Sequence, residues 1–252
     1  MQRKLNEDRY DGRMPVNVYT GRFQPFHLGH LSNLREAAKR GLRTVICPVM
    51  AGKTAKSIAA HPFNGDIEEE MFNRLKSAYG DLIADIIPIQ RPSLDCWVEA
   101  IRERGMEPIS WTTGTDQLPS YRNMVEKYGP DFNLSDNFEV IGLDKDAEGE
   151  NWSADNTRDI SATLVRGNGK YAGKCLGNPD KEAGRKEFES VMPECLYPMF
   201  DKMRRILYGD EEPAKMGVYE GLMRDREYRR YRKRLDEAIT RLVKKTRKDI
   251  IL

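Results

Sequence analysis

Five short runs rich in β-branched residues recur along the chain, at 16–20, 44–49, 83–89, 109–113 and 138–143. Between them the apolar residues change to helical spacing, as in Ile67, Met71, Leu75, Ala78, Tyr79 and Leu82, and again in Leu94, Trp97, Val98 and Ile101. A further helix is predicted over 117–128, where Gly129 and Pro130 stop it. A strand that must cross a helix before meeting the next strand cannot turn back in a hairpin, so consecutive strands run parallel. The alternation therefore predicts an α/β fold: a Rossmann-like, doubly wound parallel sheet of about five strands. In such sheets the ligand lies beyond the carboxyl ends of the strands, where the strand order reverses.

The chain has 252 residues, enough for one core and an appendage. The expected division is an N-terminal arm over 1–14, the sheet domain over 15–194 and a basic helical C-terminal extension over 195–252. Residues 167–184, rich in Gly, Lys and Asn, read as loop. The extension holds 16 Lys and Arg against 10 Asp and Glu, although the whole chain carries a formal charge of only +2. Within it Tyr228, Tyr231, Leu235, Ile239, Leu242 and Val243 form an apolar stripe at spacings of three and four. Such a stripe must be buried, on its own domain or on a second copy, so a homo-oligomer is expected. A nucleic acid or an acidic protein is the alternative partner for its basic faces.

Cys47, Cys96, Cys175 and Cys195 are scattered, with no CxxC pair. They predict reduced thiols rather than a metal knuckle or a disulfide framework, and no residues are assigned to a protein-held metal. The first residues are polar and mixed in charge, and no run approaches the roughly 20 apolar residues of a membrane helix, so a cytoplasmic protein without a membrane partner is expected.

One stretch stands out chemically. GRFQPFHLGH, residues 21–30, contains two of the three histidines and follows the first predicted strand. A loop that leaves a strand and opens a helix presents unpaired N–H groups and the positive end of a helix dipole, a combination that suits phosphate. His27 and His30, three apart at that helix start, are read as two ring donors on one face. Gly29 admits a close approach to the backbone, and Gly21 a sharp exit from the strand. A pair of ordinary surface histidines, or half of a zinc site, is the bland alternative.

HLGH resembles the HxGH signature of the nucleotidyltransferase superfamily, and the longer GRFQPFHLGH resembles the archaeal and related bacterial nicotinamide mononucleotide adenylyltransferases. ISATLVR, 160–166, is similar to that family's second motif, ISxTxxR. The segments AGKTAKSIAAHPFNG (51–65), IIPIQRPSLDCWV (86–98) and TTGTDQ (112–117) are weaker likenesses. The likeness spans about residues 15–170. The chain departs from the family pattern at Gly65, Asp66, Ile67 and Glu68, where an arginine is usual, and at Gln90 and Arg91, where an aspartate is usual.

The resemblance implies adenylyl transfer from ATP to nicotinamide mononucleotide, giving NAD and pyrophosphate, with Mg2+ bridging the triphosphate. It implies His27, His30 and Arg166 as the catalytic groups. It places ATP on Gly21, Arg22, Phe23, Gly29, Asp116, Ser161 and Thr163, and the mononucleotide on Trp97, Lys53 and Trp152. Two readings of Trp97 stand side by side: a ring stacked on the base, or a core residue among Leu94, Val98 and Ile101. Asp116 reads equally as a ribose or magnesium contact and as a helix N-cap. A phosphopantetheine or cytidylyl transferase of the same superfamily, or a structural or nucleic-acid-binding protein that keeps this fold, are the alternatives.

Overall fold

A computed structural model describes residues 10, 12–52, 61–114, 117–143 and 160–209. The sheet has five strands: β1 (Met14–Gly21), β2 (Arg43–Pro48), β3 (Ile83–Ile86), β4 (Met106–Gly114) and β5 (Glu139–Leu143). All neighbours are parallel, in the order β3-β2-β1-β4-β5. The chain winds outward from β1 to β3, then crosses to β4 and β5 on the other side. The expected doubly wound fold is present, and its reversal point falls between β1 and β4.

β1 is interior, and its side chains alternate between two separate cores. Val16 and Val18 enter one; Tyr19 enters the other. The first core is closed by α3 (Val98–Arg102) and α4 (Leu118–Tyr128), and Trp97 and Trp111 are its largest members. The second lies under α1 (Leu28–Lys39) and α2 (Asp66–Ala78). On that face a buried polar row crosses three strands: Asn17 Oδ1 accepts from Ser110 Oγ at 2.8 Å and Thr112 Oγ1 at 2.9 Å, and Asn17 Nδ2 donates to Thr44 Oγ1 at 3.2 Å. Each of these buried groups has a partner, so the row fixes register without a desolvation penalty.

Beyond β5 the chain forms α5 (Ala162–Arg166), α6 (Lys181–Val191) and α7 (Phe200–Tyr208), joined by short 3-10 turns. The segment 167–184, expected as loop, contains two of those turns and the start of α6. The boundary expected at 194 also moves. Leu196, Met199, Phe200, Met203, Leu207 and Tyr208 are buried in the same core as Leu31, Leu34 and Met71, so the packed unit continues through Tyr208. The apolar stripe of 228–243 lies outside the described residues. Among the described residues no helix is long and apolar enough to cross a membrane.

Candidate active site

The reversal point opens into a pocket of about 590 Å³. The loop after β1 forms its floor, the end of β4 and the start of α4 form one wall, and α5 closes the other side. Gly21, Arg22, Phe23, His27, Gly29, His30, Ser161, Thr163 and Arg166, nine residues expected at a site, all line it. Asp116, Lys53 and Trp152 lie outside the described residues.

The loop is shaped by aromatic packing. Phe23 takes a left-handed backbone conformation, φ 47°, unusual for a residue with a Cβ, and its ring is buried. A Cβ on Gly21 would sit 3.1 Å from that ring, and one on Gly29 would sit 3.2 Å from the His27 ring. The two glycines therefore make room for neighbouring side chains. The His30 ring is enclosed by Phe23, 5.0 Å away edge-on, by Phe26 at 5.2 Å and by Tyr19 at 6.0 Å, and it stacks on His27 with centroids 3.7 Å apart.

His27 is the N-cap of α1, and its backbone N–H donates to His30 Nδ1 at 3.2 Å. An Nδ1 that accepts this bond puts a ring proton on Nε2. Ser161 is the N-cap of α5; its hydroxyl oxygen accepts from the Leu164 N–H at 3.2 Å and its proton remains available to donate. Arg166 donates from Nη1 to the Gln24 carbonyl. Burial, and then repulsion from Arg22, lower the Arg166 pKa from its ordinary value. Two guanidinium groups that repel each other across a pocket favour an anion between them.

Gln24 was not singled out by the sequence, yet it joins the loop to its surroundings. Its side-chain Oε1 accepts from the Phe63 N–H at 2.9 Å, and its Nε2 donates to Glu68 Oε1 at 3.3 Å. Burial pushes the Glu68 carboxyl up to about 7, and the bond from Gln24 offsets part of that rise. Tyr19, Asn33 and Tyr121 were also missed. All three line the pocket; Asn33 Nδ2 donates to the Tyr19 hydroxyl at 2.7 Å, and Tyr121 stacks on Trp111 with centroids 4.1 Å apart. Their pattern carried no signal, because a Tyr on a strand and one on a helix start read as core.

Trp97 is placed differently from its expected role at the mononucleotide. It is wholly buried, edge-on to Trp111 at 5.1 Å and parallel to Phe138 at 6.4 Å, and it is not among the pocket residues. The helical spacing with Leu94, Val98 and Ile101 that defined the core reading describes its surroundings. Among the described residues lining the pocket there is no carboxylate, and no group of three or more His, Cys, Asp or Glu is placed to hold a metal ion.

A doubly wound sheet with cationic and hydroxyl groups gathered at its reversal point suits a phosphate-bearing ligand. Residues 18–168 match the family model described as Cytidylyltransferase-like, and the chain belongs to that family. No curated protein matches the chain. The matched segment covers both motifs, and α6 and α7 lie outside it.

Proposed function

We propose that this chain transfers the adenylyl group of ATP to nicotinamide mononucleotide, giving NAD and pyrophosphate. The observation that carries the reading is the meeting of 21–30 and 160–166 in one pocket, with Arg166 anchored on the Gln24 carbonyl. The bond formed joins a phosphate oxygen of the mononucleotide to the α-phosphorus of ATP; the bond broken releases the β- and γ-phosphates as pyrophosphate. The attacking oxygen is already anionic at neutral pH, so no side chain has to remove a proton. The protein's work is to bring two like-charged phosphates into line and to neutralise charge that builds on the leaving group.

In this reading His27 and His30 donate to the α- and β-phosphates, and Ser161 and Thr163 to the β- and γ-phosphates. Arg166 offers a fixed fork, and exposed Arg22 meets the triphosphate at the rim. Magnesium, when bound, neutralises the triphosphate; phosphate oxygens and water would hold it, which suits walls whose described residues contribute no carboxylate. With Trp97 in the core, Tyr19, Phe23 and Tyr121 are the aromatic side chains among the described residues lining the pocket, and Tyr121, at the start of α4, is the candidate neighbour for a base. The burial of Trp97 also favours one second reading, an acceptor other than nicotinamide mononucleotide within the same superfamily.

The test is to incubate the protein with magnesium and ATP plus nicotinamide mononucleotide or phosphopantetheine, and separately with CTP and a phosphorylated alcohol, measuring pyrophosphate and coupled product. NAD formation is expected. Product from either other pair, with none from nicotinamide mononucleotide, would replace the acceptor while leaving the nucleotidyltransferase intact.

A further inference from the structure

α5 carries Arg166 but has only five residues, too few for helix propensity to hold it in place. The Gly167 and Asn168 N–H groups take up the Leu164 and Thr163 carbonyls at its end, and the Arg166 carbonyl is met from outside the helix. Tyr208, the final residue of α7 and itself buried, donates its hydroxyl to the Arg166 carbonyl at 2.6 Å, with the Gly167 carbonyl at 3.2 Å beside it. Burial pushes the Tyr208 hydroxyl up to about 12, so it keeps its proton as a donor throughout the neutral range.

The same helix also holds the loop against which this turn packs. Arg204 donates from Nη1 to the carbonyls of Leu176 at 3.0 Å and Asn178 at 2.6 Å. Gly167, at φ 66°, lies so close to that loop that a Cβ would fall 2.1 Å from the Lys174 carbonyl oxygen; a Cβ on Gly177 would fall 2.8 Å from the Tyr208 hydroxyl. Lys202 ties α7 back to α2 through Glu70 at 2.6 Å. Arg166 is thus held twice. Its backbone is fixed by α7 and its guanidinium by the Gln24 carbonyl in the loop after β1.

We infer that Tyr208, beyond the family-matched segment, is a positioning residue that sets the Arg166 guanidinium for the triphosphate through its hydroxyl bond to the Arg166 carbonyl. The inference rests on the reading that Arg166 contacts ATP. Removing the hydroxyl keeps the ring in the core but takes a buried donor from two carbonyls, so the turn relaxes and the guanidinium loses its place. A misplacement of about 1 Å at a reacting group is enough to cost up to about a hundredfold in rate.

The experiment is a double-mutant cycle on the full chain, with ATP and magnesium affinity measured by calorimetry and turnover by pyrophosphate release. Tyr208→Phe is expected to weaken ATP affinity and turnover about tenfold, with little change in the Michaelis constant of the acceptor. In an Arg166→Ala background the same change should cost nothing further. Arg204→Met, on the same helix but bonded to the loop, serves as the structural control: it should lower the melting temperature, and any loss it causes should multiply with that of Arg166→Ala. Losses from Tyr208→Phe that multiply with Arg166→Ala, or an ATP affinity unmoved by Tyr208→Phe, overturn the positioning role alone. Failure of the unsubstituted protein to bind ATP removes the reading of the site, and the positioning role with it.

Discussion

The two faces of the sheet are built by different means and contribute differently to the pocket. The face that carries Trp97, Trp111 and Val98 is apolar, and its polar links toward the pocket run through Thr20 Oγ1, which accepts from the Trp111 indole N–H at 3.1 Å and lies 3.5 Å from the Tyr121 hydroxyl. The face that carries Tyr19, Phe26 and Met71 is threaded with hydrogen bonds through Asn17, Gln24, Asn33 and Tyr208. Packing holds the first, and directional bonds aim the second. The difference teaches that stability and chemistry can be perturbed separately here, even though β1 serves both.

The largest expected effect lies on the packed face. Trp97→Ala should lower stability by about 3–5 kcal/mol, because a wholly buried indole is replaced by a cavity. Denaturant unfolding measures it, and the Michaelis constants of the folded fraction should stay close to those of the unsubstituted protein. A raised constant for the mononucleotide with unchanged stability would return Trp97 to the base and erase the contrast between the faces.

His30→Ala is the complementary change on the bonded face. It should cut turnover by about a hundredfold or more, equivalent to roughly 3–4 kcal/mol at the transition state, while the unfolding midpoint moves much less. His27→Ala is expected to act similarly on turnover. Steady-state rates near those of the unsubstituted protein would show that neither ring reaches a reacting phosphate.

The smallest effect sharpens the comparison within the bonded face. Burial holds the Glu68 carboxyl near 7 in the folded chain, above its ordinary value of 4.5, so the native state binds the proton more tightly than the unfolded state does. Stability contributed by the protonated form is then complete below pH 4.5, declines as pH rises toward 7 and levels off above it. The whole effect is at most about 3 kcal/mol. Glu68→Gln should flatten this part of the stability profile between pH 5 and 8; a profile identical in both proteins would mean that Glu68 ionises as freely as an exposed carboxylate.

Much of the sheet was legible because each strand is a short β-branched run and each crossover keeps helical spacing. The predicted run 138–143 matches Glu139–Leu143 within one residue, and 117–128 matches Leu118–Tyr128. The predicted run 83–89 overreaches, since β3 ends at Ile86 and only Val49 and Ile89 continue the pairing as an isolated bridge. The pocket-lining residues expected in 21–30 and 160–166 were legible because each motif is a continuous run in the sequence. Gln24 and Tyr208 were not, because their importance lies in partners 39 to 44 and 41 to 42 positions away, which no local spacing records. The start of the C-terminal segment misled for another reason: its charge obscured Leu196, Met199, Phe200, Met203 and Leu207, which are core.

The strand order has a consequence for how the pocket fails under stress. His27 and His30 follow from β1, the innermost strand, whose amides are protected by ladders on both sides. Arg166 follows from β5, an edge strand, on a five-residue helix held from outside. Amide exchange in β1 should therefore wait for global opening, while exchange around Arg166 proceeds through local fluctuations of lower free energy. In rising urea the two halves of the pocket are expected to part company before the sheet does, so that the midpoint for loss of activity falls below the midpoint for loss of secondary structure.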